Sequence, residues 1–418
     1  MENPLRRFFR HLGPGFITGA SDDDPSGIAT YTAVGARFGF GLLWTSILVL
    51  PFMIAIQETV ARIGMVTGEG LTAAIRKRSS RATLLLVVFL VFVANSINIG
   101  ANLGAMGDAL RLLVPQIPFA VATIGFTILI LILEIFVTYK TYAKILKWLA
   151  LTLLAYLLTA ILVTTNWSAV LKGALIPHFE LTKDFVLAFI AVLGTTISPY
   201  LLLWQANEEV EEEIANGRKT VNRRKGANAE ELQEMHRDVT TGMTFSNLIM
   251  FCIILTAASV FFSNGIHDIA TSADAAKALT PLAGKGAFWL YTIGIIGTGL
   301  LAIPILSASA SYALSEAFGW KNGLAHKLHE AHGFYGAITI ATLIGLLLNF
   351  SGIAPIQALI WAAIVNGLVT PVILFVVLKI ANDPKLMGEH VNGLASNILV
   401  GFTAVIMTGA AGLLFWLS

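Results

Sequence analysis

The stretch Gly19-Ala-Ser-Asp22-Asp23-Asp24-Pro25-Ser-Gly27 lies inside the first long apolar segment of the chain. Each Asp costs about 2.5–3.5 kcal/mol at bilayer depth. Pro25 lacks an N–H and clashes with the preceding turn, and Gly27 adds flexibility, so we expect the helix to be interrupted at these two residues. An interrupted helix at membrane depth is tolerated only where protein buries it or where it lines a watery cavity. The freed carbonyls and the carboxylates therefore predict a cation site.

The composition indicates a multi-pass membrane protein. Of the 418 residues, 56% are hydrophobic and 12% are charged, whereas a soluble protein carries about 25% charged residues. The single cysteine, Cys252, excludes a Cys-based metal site. Apolar stretches of about 20 residues are typical of spanning helices. They predict an all-α fold with eleven transmembrane helices, at 14–35, 41–66, 83–113, 119–138, 144–165, 185–207, 238–263, 286–315, 333–350, 355–381 and 394–417.

Loop charges predict the orientation. Lys and Arg concentrate in the even-numbered connections, for example Arg76–Arg81 in the second and Lys140, Lys144 and Lys147 near the fourth, and are sparse in the odd-numbered ones. Because basic loops stay on the cytoplasmic side, we expect a cytoplasmic N-terminal arm (1–13), an extracytoplasmic C-terminus and a location in the plasma (cell inner) membrane. The loop 208–237 is then cytoplasmic. Its opening run of glutamates indicates a solvated helix end or an electrostatic funnel for departing cations.

A second interruption predicts an internal repeat. The sixth helix contains Gly194-Thr-Thr-Ile-Ser198-Pro199-Tyr200, five helices after the first interruption. Five is odd, so the second set of helices enters the membrane from the opposite side. Interrupted helices at matching positions of inverted halves are typical of transporter binding sites. The predicted units are 14–165 and 185–381, joined by an extracytoplasmic connection (166–184) and followed by a peripheral eleventh helix (394–417).

Oxygen-bearing side chains near the two interruptions are the candidate site. Successive helical residues splay by about 100°, so the three acids cannot all face one cavity of an intact helix. Asp24, next to Pro25, is the expected anchor. The other interpretations are an ion pair, a helix cap, or hydrogen bonding between helices. The candidate metal ligands are Asp22, Asp23, Asp24, Ser198, Gln205 and Asn366, and the candidate pathway residues are Gln57, Glu58, Asn98, Asn102 and Tyr200.

Several stretches together resemble the NRAMP (natural resistance-associated macrophage protein) divalent metal transporters, from Gly13 almost to the end of the chain. They are Gly13-Pro-Gly-Phe-Ile17, Asp24-Pro-Ser-Gly-Ile-Ala-Thr30, Gln57 with Arg62-Ile-Gly-Met-Val-Thr-Gly68, Gly194–Tyr200, and Met387-Gly388 with Asn392. The resemblance implies a leucine-transporter-type fold of two inverted five-helix repeats, with the metal bound between broken helices 1 and 6. It carries over Asp24 as a ligand.

The departures from the family pattern concern the ligands. Gly27 stands where the family has an Asn ligand, and Ser198 stands where it has a Met. Tyr200 and Gln205 stand where it has two His, and Asn98 and Asn102 appear where the third helix usually carries an acidic pair. Soft sulfur ligands suit transition metals, whereas all-oxygen sites suit Mg²⁺, Ca²⁺ or Mn²⁺, and Mg²⁺ tends to keep part of its water shell. The missing His and acids remove the obvious proton relay.

The sequence therefore predicts a transporter, not an enzyme, for hard divalent cations such as Mg²⁺ or Mn²⁺, with weak or no proton coupling. It predicts no cofactor beyond the metal substrate and no nucleic-acid partner; its surroundings are the lipid bilayer. The alternatives are a proton-coupled Mn²⁺ or Fe²⁺ importer, an amino-acid transporter on the same fold, an intramembrane hydrolase that uses Glu134, and a metal sensor that uses the glutamate-rich loop. No Walker A motif supports ATP-driven pumping.

Overall fold

The computed structural model describes residues 13–137, 153–164 and 166–417. This part of the chain consists of helices and their connections and contains no strand. The first twelve residues of the predicted arm, the lysines Lys140, Lys144 and Lys147, and residues 144–152 and 165 of the predicted fifth span lie outside the described residues.

The helices are, in chain order, α1 (Pro14–Asp22), α2 (Pro25–Phe38), α3 (Trp44–Thr67), α4 (Leu71–Arg78), α5 (Arg81–Leu113), α6 (Phe119–Phe136), α7 (Leu154–Val163), α8 (Trp167–Leu175), α9 (Lys183–Thr196), α10 (Pro199–Ala215), α11 (Val221–Arg224), α12 (Ala229–Val260), α13 (Ser272–Ala276), α14 (Thr280–Ala283), α15 (Ala287–Phe318), α16 (His332–Leu348), α17 (Pro355–Ala381), α18 (Pro384–Met387) and α19 (Leu394–Leu417). Short 3₁₀ turns connect some of them.

Within the described residues, eight helical stretches are long and apolar enough to cross a membrane: Trp44–Thr67, Arg81–Leu113, Phe119–Phe136, Lys183–Ala215, Ala229–Asn264, Ser272–Phe318, Pro355–Ala381 and Leu394–Leu417. Two further apolar helices, α7 and α16, are shorter. The first predicted span is divided into α1 and α2, of 9 and 14 residues. The predicted count of eleven transmembrane helices is therefore not confirmed, although the all-helical, multi-pass architecture is.

Both predicted helix interruptions occur, and each is two residues long. Asp23 (φ −82°, ψ 52°) and Asp24 (φ −69°, ψ 172°) separate α1 from α2, and Pro25 is the first residue of α2. Ile197 and Ser198 separate α9 from α10, which starts at Pro199. Proline suits a first helical position, because its missing N–H would be unpaired there in any residue.

Gly27 differs from the prediction, because it lies in the first turn of α2 and not at the interruption. Its N–H donates to the Asp24 carboxylate at 2.8 Å. This bond caps the new helix and satisfies one of the N–H groups that a helix start leaves unpaired. The expectation that Gly27 breaks the helix is therefore wrong; the break is made by Asp23, Asp24 and Pro25.

Close backbone contacts hold α1 against α12. A Cβ atom on Gly19 would lie 2.2 Å from the carbonyl oxygen of Gly242, so only glycine fits at this crossing. At the start of α1, the carboxylate of Asp238 accepts hydrogen bonds from the backbone N–H groups of Gly13 (2.9 Å), Gly15 (2.6 Å) and Phe16 (3.3 Å). Small residues allow helices in a membrane to approach this closely. The two contacts fix the position of the acids at the end of α1.

A similar contact holds α9 against α17 beside the second interruption. A Cβ atom on Gly194 would lie 2.0 Å from the carbonyl oxygen of Ala363. About two turns further along α17, the Thr370 hydroxyl donates to the carbonyl oxygen of Ile197 at 2.7 Å. This bond satisfies a carbonyl that the interruption removes from the helical ladder. The contact also brings Asn366, which lies between Ala363 and Thr370, to the second interruption.

Candidate cation site between the interrupted helices

The three acids at the end of α1 are fully buried: Asp22 and Asp23 are 0% exposed and Asp24 is 1% exposed. Among the described residues, no Lys, Arg or His compensates their charge; the polar groups that act on them are hydroxyl, amide and backbone N–H groups and one another. An uncompensated charge in the interior is costly, so buried charges in proteins are paired or bind metals. The cluster is therefore short of positive charge.

Asp24 is both an acid of this cluster and the N-cap of α2. One carboxylate oxygen, Oδ1, accepts hydrogen bonds from the Ser26 hydroxyl at 2.6 Å and the Gly27 N–H at 2.8 Å. The other, Oδ2, accepts from the Asn102 side-chain amide of α5 at 3.0 Å. The helix-cap interpretation of this residue is thus realised. It does not exclude metal binding, because each carboxylate oxygen has a second lone pair.

Asp22 and Asp23 have fewer partners than Asp24. The Ser246 hydroxyl of α12 donates to Asp22 Oδ2 at 2.6 Å, and Asp22 Oδ1 has no hydrogen-bond partner in residues 13–137, 153–164 and 166–417. Neither carboxylate oxygen of Asp23 has a hydrogen-bond partner among the described residues. Asp22 therefore faces α12 while Asp24 faces α5, which agrees with the expected splay of successive residues. Asp23 lies between them with a free carboxylate.

The second interruption contacts the first through Tyr200. The Tyr200 hydroxyl donates to the carbonyl oxygen of Ser21, near the end of α1, at 3.0 Å. Its backbone carbonyl accepts from the Ser309 hydroxyl of α15 at 2.9 Å. Ser198 Oγ donates to the carbonyl oxygens of Gly194 (2.7 Å) and Thr195 (2.9 Å) at the end of the preceding helix, α9. Ser198 is therefore available to a cation only through the lone pairs of its hydroxyl oxygen.

Buried amide side chains surround the interruptions. Within the described residues, the side-chain oxygen and nitrogen of Asn98 and of Asn366 have no hydrogen-bond partner, and neither has Gln57 Oε1. Asn98 lies one turn before Asn102 on α5, so both occupy the same helix face. Gln205 Nε2 donates to the Glu209 carboxylate at 2.8 Å and not to the three acids at the end of α1. Among the described residues, Gln205 Oε1 has no hydrogen-bond partner. Unpartnered amide oxygens are suitable ligands for a hard cation.

One predicted pathway residue lies elsewhere. Glu58 pairs with His236 of α12, and its side chain is 20% exposed. It therefore belongs to a partly solvated hydrogen-bonded pair and not to the buried cluster around Asp23. The neighbouring Gln57 points into the protein because adjacent residues on a helix face different directions.

The site also contains residues that the sequence did not single out. Ser246 binds Asp22, and the buried Tyr31 hydroxyl, which has no hydrogen-bond partner, lies within electrostatic range of all three acids. A polar residue within the apolar run of α12 was the available signal for Ser246. Tyr31 lies two turns after Asp24 on α2 and gives no such signal.

The carboxylates do not converge on one point. In the described part of the chain, no three His, Cys, Asp or Glu side chains are arranged to hold a metal ion. A cation at the interruptions would therefore need amide, hydroxyl or carbonyl oxygens and its own water in addition to one or two carboxylates. Such a mixed oxygen shell is usual for Mg²⁺, which gives up its water reluctantly.

A family comparison covers almost the whole chain. Residues 15–417 match the model of the family described as natural resistance-associated macrophage protein-like. The chain belongs to the Nramp family. Two relatives of this Nramp protein are divalent metal cation transporters named MntH. The one from Pectobacterium carotovorum is 27% identical over 91% of this chain and 88% of its own length. The one from Caldanaerobacter subterraneus is 25% identical over 99% and 94%.

Solved structures share the fold of this Nramp protein. A manganese transporter of Eremococcus coleocola superimposes with a TM-score of 0.78 at 17% identity, covering 98% of this chain and 87% of that one. Mhp1, a nucleobase-cation-symport-1 family transporter, superimposes with a TM-score of 0.58 at 12% identity, covering 97% and 92%. The predicted leucine-transporter-type fold is confirmed. Family membership confirms the prediction of a membrane transporter and not an enzyme.

Proposed function

We propose that this Nramp protein carries hard divalent cations, Mg²⁺ or Mn²⁺, across the plasma membrane by alternating access, with weak or no proton coupling. The observation that carries the proposal is Asp23, whose buried carboxylate lies beside two further buried acids and has no hydrogen-bond partner among the described residues. Its relatives are named divalent metal cation transporters, which supports a divalent substrate. The metal is the transported substrate and not a cofactor.

The proposed ion lies between the two interruptions. Asp23 and Asp24 supply the charge. Asn366 and the hydroxyl oxygen of Ser198 approach from the second interruption, and Asp22 stabilises the cation from the α12 side. Asn98, Asn102, Gln57 and Tyr200 line the way to the ion, whereas Gln205 lies further along α10. We place Glu58 outside this path, since its partner is His236.

A preference for hard ions follows from the donor atoms. The side chains that contact the acids are Ser26, Asn102 and Ser246, so the partners are oxygen and amide groups. The thiol of Cys252 is within electrostatic range of Asp23 and is the soft group to test. All-oxygen shells favour Mg²⁺ and Mn²⁺ over softer metals. Cys252→Ser should therefore leave the order of metal preference unchanged.

The orientation and the repeat remain proposals that rest on loop charge and on the spacing of the interruptions. We place the N-terminus in the cytoplasm and the C-terminus outside. The inverted repeats are 14–165 and 185–381, with α19 peripheral to them. With this orientation, the glutamate-rich end of α10 faces the cytoplasm.

The test is a flux panel in proteoliposomes with Mg²⁺, Ca²⁺, Mn²⁺ and Fe²⁺ outside and a pH-sensitive dye inside. We expect uptake of Mg²⁺ and Mn²⁺ without a matching change of internal pH. Acidification in step with Mn²⁺ entry would establish the second candidate, a proton-coupled transition-metal importer. The solved structure named as a manganese transporter supports the transition-metal part of this candidate. Amino-acid uptake without metal flux would contradict the proposal altogether.

A further inference from the structure

We propose that α10 carries a second, weaker divalent-cation site, formed by Gln205, Glu208 and Glu209, through which the ion passes on its way to the cytoplasm. The inference rests on the proposed function, because it concerns the exit of the same ion. It assigns a binding role to Glu208 and Glu209, the first two glutamates that follow the second interruption, both of which are buried.

The first observation is the burial of Glu208. Its side chain is 5% exposed, and its Oε1 has no hydrogen-bond partner among the described residues. The groups that act on its charge are the carboxylates of Glu209, Glu211 and Glu212. A buried acid surrounded by acids is costly unless a cation or a proton compensates it. Glu208 therefore requires a positive partner that the described residues do not provide.

The second observation is the buried amide side chain of Gln205. It is 0% exposed, its Nε2 donates to Glu209 Oε1 at 2.8 Å, and its Oε1 has no hydrogen-bond partner in the described part of the chain. Its amide oxygen is thus held beside the Glu209 carboxylate, which is 7% exposed. Two carboxylates and one amide oxygen, completed by water, form a shell suited to a partly hydrated hard cation.

The neighbouring glutamates already have structural roles, which distinguishes them from Glu208. Glu211 accepts hydrogen bonds from the Tyr312 hydroxyl at 2.8 Å and from the Leu324 N–H at 2.9 Å. Glu213 pairs with Arg218 at 3.4 Å. These contacts hold the end of α10 to the surrounding loops. The run of acids is therefore divided between anchoring residues and residues left without a counter-charge.

The geometry of α10 connects this site with the interruption and with water. Gln205, Glu208, Glu209 and Glu212 recur at spacings of three, four and seven, so they share one side of the helix. Gln205 lies seven residues beyond Ser198, which is about 10 Å along a helix. Exposure increases from Gln205 through Glu209 to the exposed Glu212. These oxygen ligands therefore extend from the side of the buried acids at the interruption toward the surface.

The chemistry explains why the second site should be weak. An ion that leaves one site needs a next site that binds it enough to accept it and releases it again. The helix carries two uncompensated carboxylates here, against three acids at the interruption, and it lies closer to water, where charges are better screened. We therefore expect lower affinity and a stronger dependence on ionic strength at this site.

The test is equilibrium binding of Mn²⁺ to the purified full-length protein, followed by electron paramagnetic resonance of the free ion. The wild type should bind Mn²⁺ in a tight and a weak class. Asp24→Asn should weaken the tight class only. Glu208→Gln with Glu209→Gln should weaken the weak class by about 10-fold or more, because carboxylate charge sets the affinity. Glu234→Gln, at an exposed glutamate of α12, is the matched control and should change neither class.

Transport adds a second readout to the same variants. In proteoliposomes, the double variant should show a lower kcat for Mn²⁺ with an unchanged KM, because uptake still begins at the interruption. If the double variant does not fold, Glu208→Gln alone retains the test, since it removes one charge at constant volume.

The outcomes separate the two proposals. A single binding class that Asp24→Asn abolishes, or a weak class that survives the double variant, overturns the second site and leaves the proposed function intact. Absence of Mn²⁺ and Mg²⁺ binding and flux in the wild type overturns the proposed function itself. If Glu208 and Glu209 are instead protonated and bind no metal, the experiment gives a single binding class, which overturns the second site.

Discussion

Replacing Asp24 by two different residues separates its structural role from its role toward the cation. Asp24 receives three hydrogen bonds, from Ser26, Gly27 and Asn102, at 2.6, 2.8 and 3.0 Å. Asp24→Ala removes the helix cap, which costs about 1 kcal/mol, and leaves buried donors unpaired at about 1–3 kcal/mol. We expect this variant to lose both thermal stability and transport.

Asp24→Asn keeps the cap, because Asn and Asp are similarly good N-cap residues. The side-chain oxygen still accepts from Ser26 and Gly27. The Asn102 amide, whose Oδ1 has no partner, can rotate to accept from the new amide group. Stability should therefore stay close to that of the wild type. The charge is lost, however, and each unit-charge pair 4 Å apart contributes about 4 kcal/mol at an effective dielectric constant of 20.

Solvation offsets part of that energy, and we expect the affinity for Mn²⁺ to fall by about 100-fold or more, equivalent to about 2.7 kcal/mol. The measurement is the KM of Mn²⁺ uptake in proteoliposomes, with thermal unfolding of the same preparation as the control. A KM of Asp24→Asn within about twofold of the wild type, well below this expected loss, would refute the assignment. In that case, Asp24 would be a helix cap only.

The contact between α1 and α12 gives two further predictions. Gly19→Ala places a methyl group 2.2 Å from the Gly242 carbonyl oxygen and should destabilise the protein by about 1–3 kcal/mol, because the contact is overpacked. The control is Gly409→Ala, which has no atom within 4 Å of the added carbon and should not destabilise the protein. Equal melting temperatures of the two variants would contradict the packing argument. Asp238→Ala removes the acceptor of three backbone N–H groups and should lower the free energy of unfolding by about 0.5–2 kcal/mol, measured by thermal unfolding. Asp238→Asn should retain most of that stability. Identical losses of stability in both variants would show that the cap is not the cause.

The sequence predicted the two interruptions because their causes are local. An acid followed by proline at Asp24-Pro25 and a serine followed by proline at Ser198-Pro199 both form an N-cap and a first helical residue. The role of each acid could not be predicted in the same way. Whether a carboxylate is free depends on which distant helix faces it. Asn102 of α5 donates a hydrogen bond to Asp24, whereas neither carboxylate oxygen of Asp23 has a hydrogen-bond partner among the described residues.

The surroundings of the predicted pathway residues could not be predicted from the sequence either. Glu58 and Gln57 are adjacent in sequence, yet Glu58 pairs with His236 while the side-chain oxygen of Gln57 is buried without a partner. Hydropathy places both in one apolar segment, but the direction in which each side chain points is fixed by the packing of α3. The number of membrane spans stays unconfirmed for a related reason, since apolar stretches do not reveal how short a helix such as α16 will be.

The attachment of α1 has a mechanical consequence. Its far end continues through a two-residue hinge into α2, while its start is fixed to Asp238 and its middle to Gly242. If α1 tilts, either the adjoining half of α12 moves with it as one rigid unit, or several hydrogen bonds and a backbone contact break together. In the first case Ser246 travels with Asp22, so the hydrogen bond of that acid survives the motion, and the hinge moves Asp24 relative to it. The distance between the acids then reports the stage of the transport cycle, which paired labels on α1 and α5 can follow.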